Sequence, residues 1–279
     1  MKKIVLFFAA TTAVLITNAQ TVKLKKGQVV TILSTMAQEI DMGMAGQMNN
    51  NSKTTSVIQI KDADKNSYKA SSKVSKMNIS VDGMGQSQTF DSENPEDMNG
   101  DIGKALGGNI NKEVNVTIDN ISGKVVAETT KSASPEKKEE DDPMSGLMNM
   151  FANGENDAAT TESVIYILPK DKKIGDTWQD SSEVKNNSKI YKTYTLKSLQ
   201  DGIATVGLIT KSNGKTTTES QGMQIDMTMD TKADTEIIVD TNTSIIKKIN
   251  KSINIDGTME VMGQSLPITS KVTEVVEIN

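Results

Sequence analysis

The feature that most constrains this chain is the alternation of apolar and polar residues that recurs along it from residue 28 onward. The runs are rich in Thr, Val and Ile and are separated by Asn, Asp and Gly; examples are SVIQIKD (56–62), KEVNVTID (112–119), GIATVGLIT (202–210) and TEIIVD (235–240). A period of two places the apolar side chains on one face of a strand, and the separating residues are those of tight turns. The pattern predicts a mainly β fold, built of curved antiparallel sheets or a half-barrel.

Two segments depart from this alternation and are predicted to form short helices. Each begins with a capping residue followed by Pro, Asn94-Pro95 in the first and Asp142-Pro143 in the second. Such pairs are favoured at helix N-termini, and apolar residues follow at helical spacing. The apolar positions are Met98, Ile102, Ala105 and Leu106 in the first segment, and Met144, Leu147, Met148 and Phe151 in the second.

The two halves of the chain resemble each other. NNSKTTSVIQIK (50–61) aligns without gaps on NNSKIYKTYTLK (186–197) and shares five residues with it. Two further pairs of segments match in the same order, LKKGQVV (24–30) with DKKIGDTW (171–178), and IDNISGKVV (118–126) with VDTNTSIIK (239–247). A duplicated β unit explains these matches, and the alternative is a coincidence between polar hairpins.

A charged segment separates the two halves. Residues 131–143, KSASPEKKEEDDP, contain no apolar residue larger than Ala, which is typical of a disordered linker. The expected organisation is therefore a signal peptide (1–19), an N-terminal β unit with a short helix (20–130), the linker (131–143), and a short helix with the C-terminal β unit (144–279).

The N-terminal segment predicts export. MKKIVLFFAATTAVLITNAQ has a basic start, an apolar run from Ile4 to Ile16 and small residues before Gln20, which is typical of a secretory signal peptide cut near Ala19. The apolar run is too short to span a bilayer, so we expect a periplasmic or extracellular protein and not an integral membrane protein.

The residue inventory excludes several functions. The 31 basic residues are all Lys, the chain contains no Arg, His or Cys, and its net charge is −5. Without His or Cys the usual acid–base groups, nucleophiles and zinc ligands are missing, and a negative chain has no electrostatic attraction to nucleic acid. We therefore expect neither an enzyme nor a resident metal, cofactor or nucleic-acid partner, and disulfides are impossible.

One motif resembles a known family. LPKDKKIGDTW (168–178) is similar to a signature of uncharacterised secreted β-rich proteins of Bacteroidota, and LKKGQ (24–28), FDSENP (90–95) and GGNINKEVNVTIDNISGKV (107–125) extend the resemblance. The family implies no catalytic residue. Within the motif, Gly175, Asp176 and Trp178 are predicted structural anchors. In architecture, the expected fold is also similar to the half-barrel of periplasmic lipoprotein carriers.

Methionines form the remaining pattern. Met44, Met84 and Met262 lie just before Gly-Gln pairs in predicted turns. Since Met is unbranched and adaptable, it suits an apolar surface that fits imprecise partners. The predicted lining of such a surface consists of Met42, Met44, Met84, Met227, Met229 and Met262.

The interpretation of these methionines stays open. One hypothesis is the binding or carriage of an apolar ligand such as a lipid, with the stripe Met144, Leu147, Met148 and Phe151 as a lid. The alternatives are plain core packing, a structural or protein-interaction module of the cell envelope without a small ligand, and copper(I) capture by Met-x-Met pairs such as Met42/Met44 and Met227/Met229.

Overall fold

The computed structural model describes residues 21–43, 46–83, 85–127, 164–184, 188–220, 223–261 and 264–279. Most of these residues lie in strands, as the alternation predicts. The strands are β1 (Val29–Asp41), β2 (Gln47–Ala63), β3 (Ser67–Gly83), β4 (Gln86–Asp91), β5 (Val114–Asp119), β6 (Val125–Ala127), β7 (Thr177–Val184), β8 (Ser188–Gln200), β9 (Ile203–Ser220), β10 (Met223–Asp240), β11 (Ile245–Val261) and β12 (Gln264–Ile278).

All twelve strands belong to one antiparallel sheet. Its order is β6-β5-β3-β2-β1-β12-β11-β10-β9-β8-β7, and β4 pairs with β3 beside β5. The C-terminal strand β12 pairs with β1 on one side and β11 on the other, so the first and last strands meet in the middle of the sheet. The predicted fold class, mainly β with curved antiparallel strands, is confirmed, and the described residues also contain two short helices.

The helical segment differs in detail from its prediction. Two helices, α1 (Pro95–Asn99) and α2 (Asp101–Leu106), occupy the stretch predicted as one, and a 3-10 turn (Gly107–Asn109) follows. The Asn94 side chain accepts a hydrogen bond from the Glu96 backbone N–H, as expected of a cap. The chain breaks at Gly100, whose backbone is extended. The predicted second helix, Met144 to Phe151, lies outside the described residues.

The hydrophobic core gathers at one end of the sheet, which we call the core end. Buried side chains from both halves meet there, among them Ile32, Ile60, Val116, Val206 and Val239. Segments outside the strands complete this end. The Val22 N–H donates to the Asn120 carbonyl, and the Ile246 N–H donates to the Val164 carbonyl. The strand connections at this end are β2–β3, β5–β6, β8–β9 and β10–β11.

The strand pairs β1–β2 and β7–β8, which contain matching sequence segments of the two halves, have the same local structure at the core end. The Gly27 N–H donates to the Ile60 carbonyl at 2.8 Å, and the Gly175 N–H donates to the Leu196 carbonyl at 2.8 Å. Both glycines have positive φ, +81° and +94°. An irregularity in the strand pairing follows directly after Ile60 in β2 and after Leu196 in β8.

The turns that end β5 and β10 also match. The Gly123 N–H donates to the Asp119 carbonyl at 2.9 Å, and the Ser244 N–H donates to the Asp240 carbonyl at 2.7 Å. Gly123 and Ser244 have φ values of +70° and +63°. The segments 118–126 and 239–247, which match in sequence, therefore fold into equivalent turns.

Candidate functional site

The two faces of the sheet differ in chemistry. In β12, Val272, Val276 and Ile278 are buried on one face, whereas Lys271 and Glu277 on the opposite face are exposed. Because side chains alternate across a strand and the cross-strand register extends the pattern to neighbouring strands, we call the first the apolar face and the second the polar face.

A polar belt crosses the central strands of the apolar face and is interrupted at Met36, which lies directly opposite Ser52 and Glu274. Its members lie on five adjacent strands, and the core cluster lies entirely on one side of it. The Lys251 ammonium lies 3.4 Å from the Glu274 carboxylate, and the Ser34 hydroxyl donates to the same carboxylate at 3.1 Å. The polar belt consists of Ser34, Ser52, Thr54, Ser56, Thr235, Lys251 and Glu274.

Beyond the belt the face becomes apolar again. We call this second region the distal field, and none of its residues belongs to the core cluster. Some of them are buried, such as Met42 and Met48, and others are partly exposed, such as Ile255. The distal field consists of Ile40, Met42, Met48, Val81, Met227, Met229, Ala233, Ile253, Ile255, Met259, Leu266, Ile268 and Val272.

Three methionines come together at the margin of the distal field. Met227 of β10 lies directly opposite Met259 of β11. Met229 has a glycine on each side, Gly214 in β9 and Gly257 in β11. A Cβ placed on Gly257 would lie 3.2 Å from the Met229 Cγ, so the Met229 side chain lies over this glycine. All three methionines are partly exposed.

The structure brings only some of the predicted lining residues together. Met42, Met227 and Met229 all lie in the distal field. Met44, Met84 and Met262 lie outside the described residues, as do the predicted lid residues Met144, Leu147, Met148 and Phe151. The glutamines of the three Gly-Gln pairs, Gln47, Gln86 and Gln264, are the first residues of β2, β4 and β12, at the distal end of the sheet.

Met259 was missed in the sequence because no Met-x-Met pair or turn motif marks it. The alternation of β11 gives the face on which it lies, but its position opposite Met227 depends on the strand register. Asn50, Gln38 and Ser270, buried within the same face, were missed for the same reason.

The predicted anchors lie at the core end, away from the distal field. Gly175 makes the turn before β7, and the Asp176 carboxylate accepts a hydrogen bond from the Lys173 N–H at 2.8 Å. The Trp178 ring stacks on Tyr194 with centroids 5.5 Å apart, and the Lys172 ammonium lies 5.3 Å from the Trp178 ring centroid. Trp178 packs against the core cluster.

Burial at the core end affects two phenols. Desolvation raises the pKa of Tyr166 well above its ordinary value, and the nearby Tyr194 contributes. Desolvation also raises the pKa of Tyr194, with a further contribution from Asp180. Both shifts favour the neutral phenol in the folded state.

The polar face carries shallow grooves of a different kind. One of ≈ 610 Å³ is lined mainly by exposed side chains such as Glu39, Asn49 and Asn254, and another of ≈ 380 Å³ includes Tyr191 and Asp230. Among the described residues, no three acidic side chains are grouped so that they could hold a metal ion. No helix in the described part of the chain is long and apolar enough to cross a membrane.

A family model matches residues 65–246, which is more than half of the chain. The chain belongs to a family of unknown function (DUF6263). The match runs from the end of the β2–β3 turn to the start of β11, so it includes strands from both halves of the sheet. A comparison with curated proteins found no match.

Solved structures give only distant likenesses. Lipovitellin, in a structure that describes lipid–protein interactions, is 10% identical with a TM-score of 0.49; the match covers 92% of this chain but 25% of the lipovitellin chain. OpdQ of Pseudomonas aeruginosa is 4% identical over 92% of this chain and 99% of its own, with a TM-score of 0.25. An outer membrane channel from Pseudomonas putida F1 is 6% identical over 94% and 98%, with a TM-score of 0.23. These likenesses carry no argument about function.

Proposed function

We propose that this protein is an exported, non-enzymatic binder of an apolar ligand such as a lipid, and that the distal field is the binding surface. The observation that carries this proposal is that, on five central strands, polar residues lie between the core cluster and a second apolar region of the same face. The core cluster at one end holds both halves of the sheet together. The distal field repeats the apolar chemistry at the other end without joining that cluster.

The exposure of the distal field supports the same proposal. Met227, Met229 and Met259 are partly exposed in the distal field. Apolar surface that stays partly in water costs free energy, and covering it with a ligand or partner recovers that cost. Thioethers on flexible side chains suit a ligand of variable shape.

Two further parts of the proposal concern origin and location. The matching hydrogen bonds at Gly27 and Gly175, and at Gly123 and Ser244, support a duplicated β unit. The signal-peptide pattern at residues 1–19 supports export to the periplasm or the exterior, as in the secreted family that LPKDKKIGDTW resembles.

Native mass spectrometry of protein purified from its own host tests the proposal directly. We expect a reproducible additional mass of lipid size that mild collisional activation removes. Purely apo-protein under conditions that preserve the fold would contradict it.

A double substitution then locates the site. Met227→Gln with Met259→Gln keeps the side-chain length but adds two amides to the distal field, and we expect the affinity for an apolar fluorescent probe to fall by about 10-fold or more, because polar groups lose solvation on contact with the probe. The matched control is Ile209→Gln with Val275→Gln, two exposed apolar residues of the polar face. An equal loss in both double variants would contradict the assignment to the distal field.

An interaction module remains the second candidate, because the sheet has open edges. In the described part of the chain, β7 pairs with β8 and has no strand on its other side. An exposed edge is a template for strand addition by a partner. A protein-sized adduct in place of a lipid-sized one in the native mass spectrum would favour this function.

A further inference from the structure

Three uncharged polar side chains are buried among the apolar residues of the distal field. Gln38, Asn50 and Ser270 are 8%, 4% and 9% exposed. They lie on β1, β2 and β12, which are adjacent in the sheet. Burying a polar group costs free energy unless it is hydrogen-bonded, so each of the three requires a partner.

Two of the three satisfy each other. The Gln38 Nε2 donates to the Ser270 Oγ at 3.2 Å. Asn50 lies directly opposite Gln38 on one side and Val81 on the other. Its Oδ1 is fully buried and has no hydrogen-bond partner in the part of the chain that the structure describes. An acceptor left in this state costs about 1–3 kcal/mol.

An apolar track begins beside this acceptor. From Asn50 and Gln38 the cross-strand register continues through Val272, Ile253 and Ala233, one residue on each successive strand. Four strand spacings of about 4.8 Å make a track of about 19 Å. Its first two residues, Asn50 and Gln38, are polar and its other three are apolar, which matches an amphiphile whose headgroup lies at Asn50.

The charge of the subsite restricts the headgroup. Gln38, Asn50 and Ser270 are uncharged, and the charges of the polar belt nearest to them, Lys251 and Glu274, are paired with each other. A charged headgroup would lose its hydration without gaining a counter-ion, which is far more costly than burying a neutral one.

We propose that Asn50 is the polar subsite of the distal field, and that it selects an amphiphile with an uncharged headgroup whose hydroxyl donates to the Asn50 Oδ1. This inference rests on the proposed function, because the track is part of the distal field, and it adds the class of ligand. The hydroxyl supplies the donor that the buried acceptor lacks, while the chain lies along Ile253, which is partly exposed between the buried Val272 and Ala233.

Three probes with the same oleyl chain test the headgroup. Oleyl alcohol offers a hydroxyl donor, methyl oleate offers acceptors alone, and oleate carries a negative charge. By displacement of a fluorescent apolar probe from the full-length protein, we expect oleyl alcohol to bind about 10-fold more tightly than methyl oleate, the effect of one buried hydrogen bond. We expect oleate to bind least tightly.

Asn50→Leu tests the residue. It removes the acceptor and keeps a side chain of similar size, so the preference for oleyl alcohol over methyl oleate should fall to about one. Its melting temperature should stay level or rise, because an unsatisfied buried group has gone. The matched control is Asn51→Leu, which lies next to it on the opposite face and is exposed; the control should keep the full preference.

The outcomes separate this inference from the proposed function. Equal binding of oleyl alcohol and methyl oleate by the wild type leaves apolar binding intact and overturns the role of Asn50, as does a preference for methyl oleate or for oleate. Binding of none of the three probes overturns both. Retention of the preference in Asn50→Leu overturns the subsite, and the wild-type comparison decides the question even where that variant fails to fold.

Discussion

The two ends of the apolar face use similar residue types for different purposes. At the core end, aliphatic side chains from both halves of the sheet are almost completely buried; Leu196, Val206 and Val239 are each 0% exposed. In the distal field, Met229 and Ile255 occupy the same face but stay partly exposed. The difference lies in what covers each region, since the segments around Val22 and Val164 close the core end.

This contrast shows that an apolar face need not be a single core. The ion pair of Lys251 and Glu274 interrupts the face between the two regions. Side chains on the core side stabilise the fold, because they leave water on folding. The partly exposed side chains on the distal side, such as Met229 and Ile255, keep part of their surface in water until a ligand or partner covers them. Substitutions at the core end should therefore lower mainly the stability of the fold. Substitutions in the distal field should lower mainly the affinity for a ligand.

The largest difference in stability is expected between two alanine substitutions on the same strand. Ile237 and Met229 lie on the same face of β10, the first at the core end and the second in the distal field. Ile237→Ala should lower the free energy of unfolding by about 2–5 kcal/mol, the usual cost of a cavity in a packed core. Met229→Ala should cost about 1 kcal/mol or less, because part of its surface is already exposed.

Urea unfolding with a constant denaturant slope measures both values. Losses of equal size would show that the distal field is as much a core as the other end, and the comparison would fail.

A smaller effect is expected from two glycines with positive φ. Gly123 at the core end has φ +70°, and a Cβ there would lie 2.8 Å from the Ile165 Cγ2. Gly85 at the distal end has φ +76° and no described atom within 4 Å of such a Cβ. Alanine at either position costs about 1–2 kcal/mol of backbone strain, and Gly123→Ala adds the clash. We expect Gly123→Ala to melt clearly below Gly85→Ala; a reversed order in thermal unfolding would show that the core end is loosely packed.

The smallest change in stability is expected at alkaline pH, and it concerns only the core end. The pKa of Tyr166 is raised on folding because burial disfavours the phenolate. Its contribution to stability is fully present below the ordinary tyrosine pKa of about 10 and is lost as the pH rises above that value. The urea midpoint of the wild type should therefore fall between pH 9 and 11 by more than that of Tyr166→Phe. The same fall in both proteins would exclude Tyr166 as a source of the pH dependence.

Prediction from the sequence succeeded where a local pattern is enough. The alternation in GIATVGLIT marks β9, and Asn94-Pro95 marks the start of α1 with its cap. The length of that helix was wrong, because Gly100 takes an extended backbone that splits it. A conformation of this kind depends on the surrounding packing as well as on the residue itself.

The candidate site was predictable only in part. Met42, Met227 and Met229 were predicted, and the structure places them in one region of one face. Met259 and Asn50 carry no motif of their own, and their importance comes from the strand register, which joins residues far apart in the chain. The register is set by pairing along whole strands, and a shift by one residue would send each of these side chains to the opposite face.

The sequence by itself determined the strands, their apolar and polar faces, the matching segments of the two halves and the lack of His, Cys and Arg chemistry, because these depend on residue type and on a period of two. The tertiary structure alone decided that β12 lies between β1 and β11, that all twelve strands share one sheet, and that a polar belt separates the core from the distal field. Those features arise from contacts between residues as distant as Ser34 and Glu274, and no local pattern encodes which of many similar strands will pair.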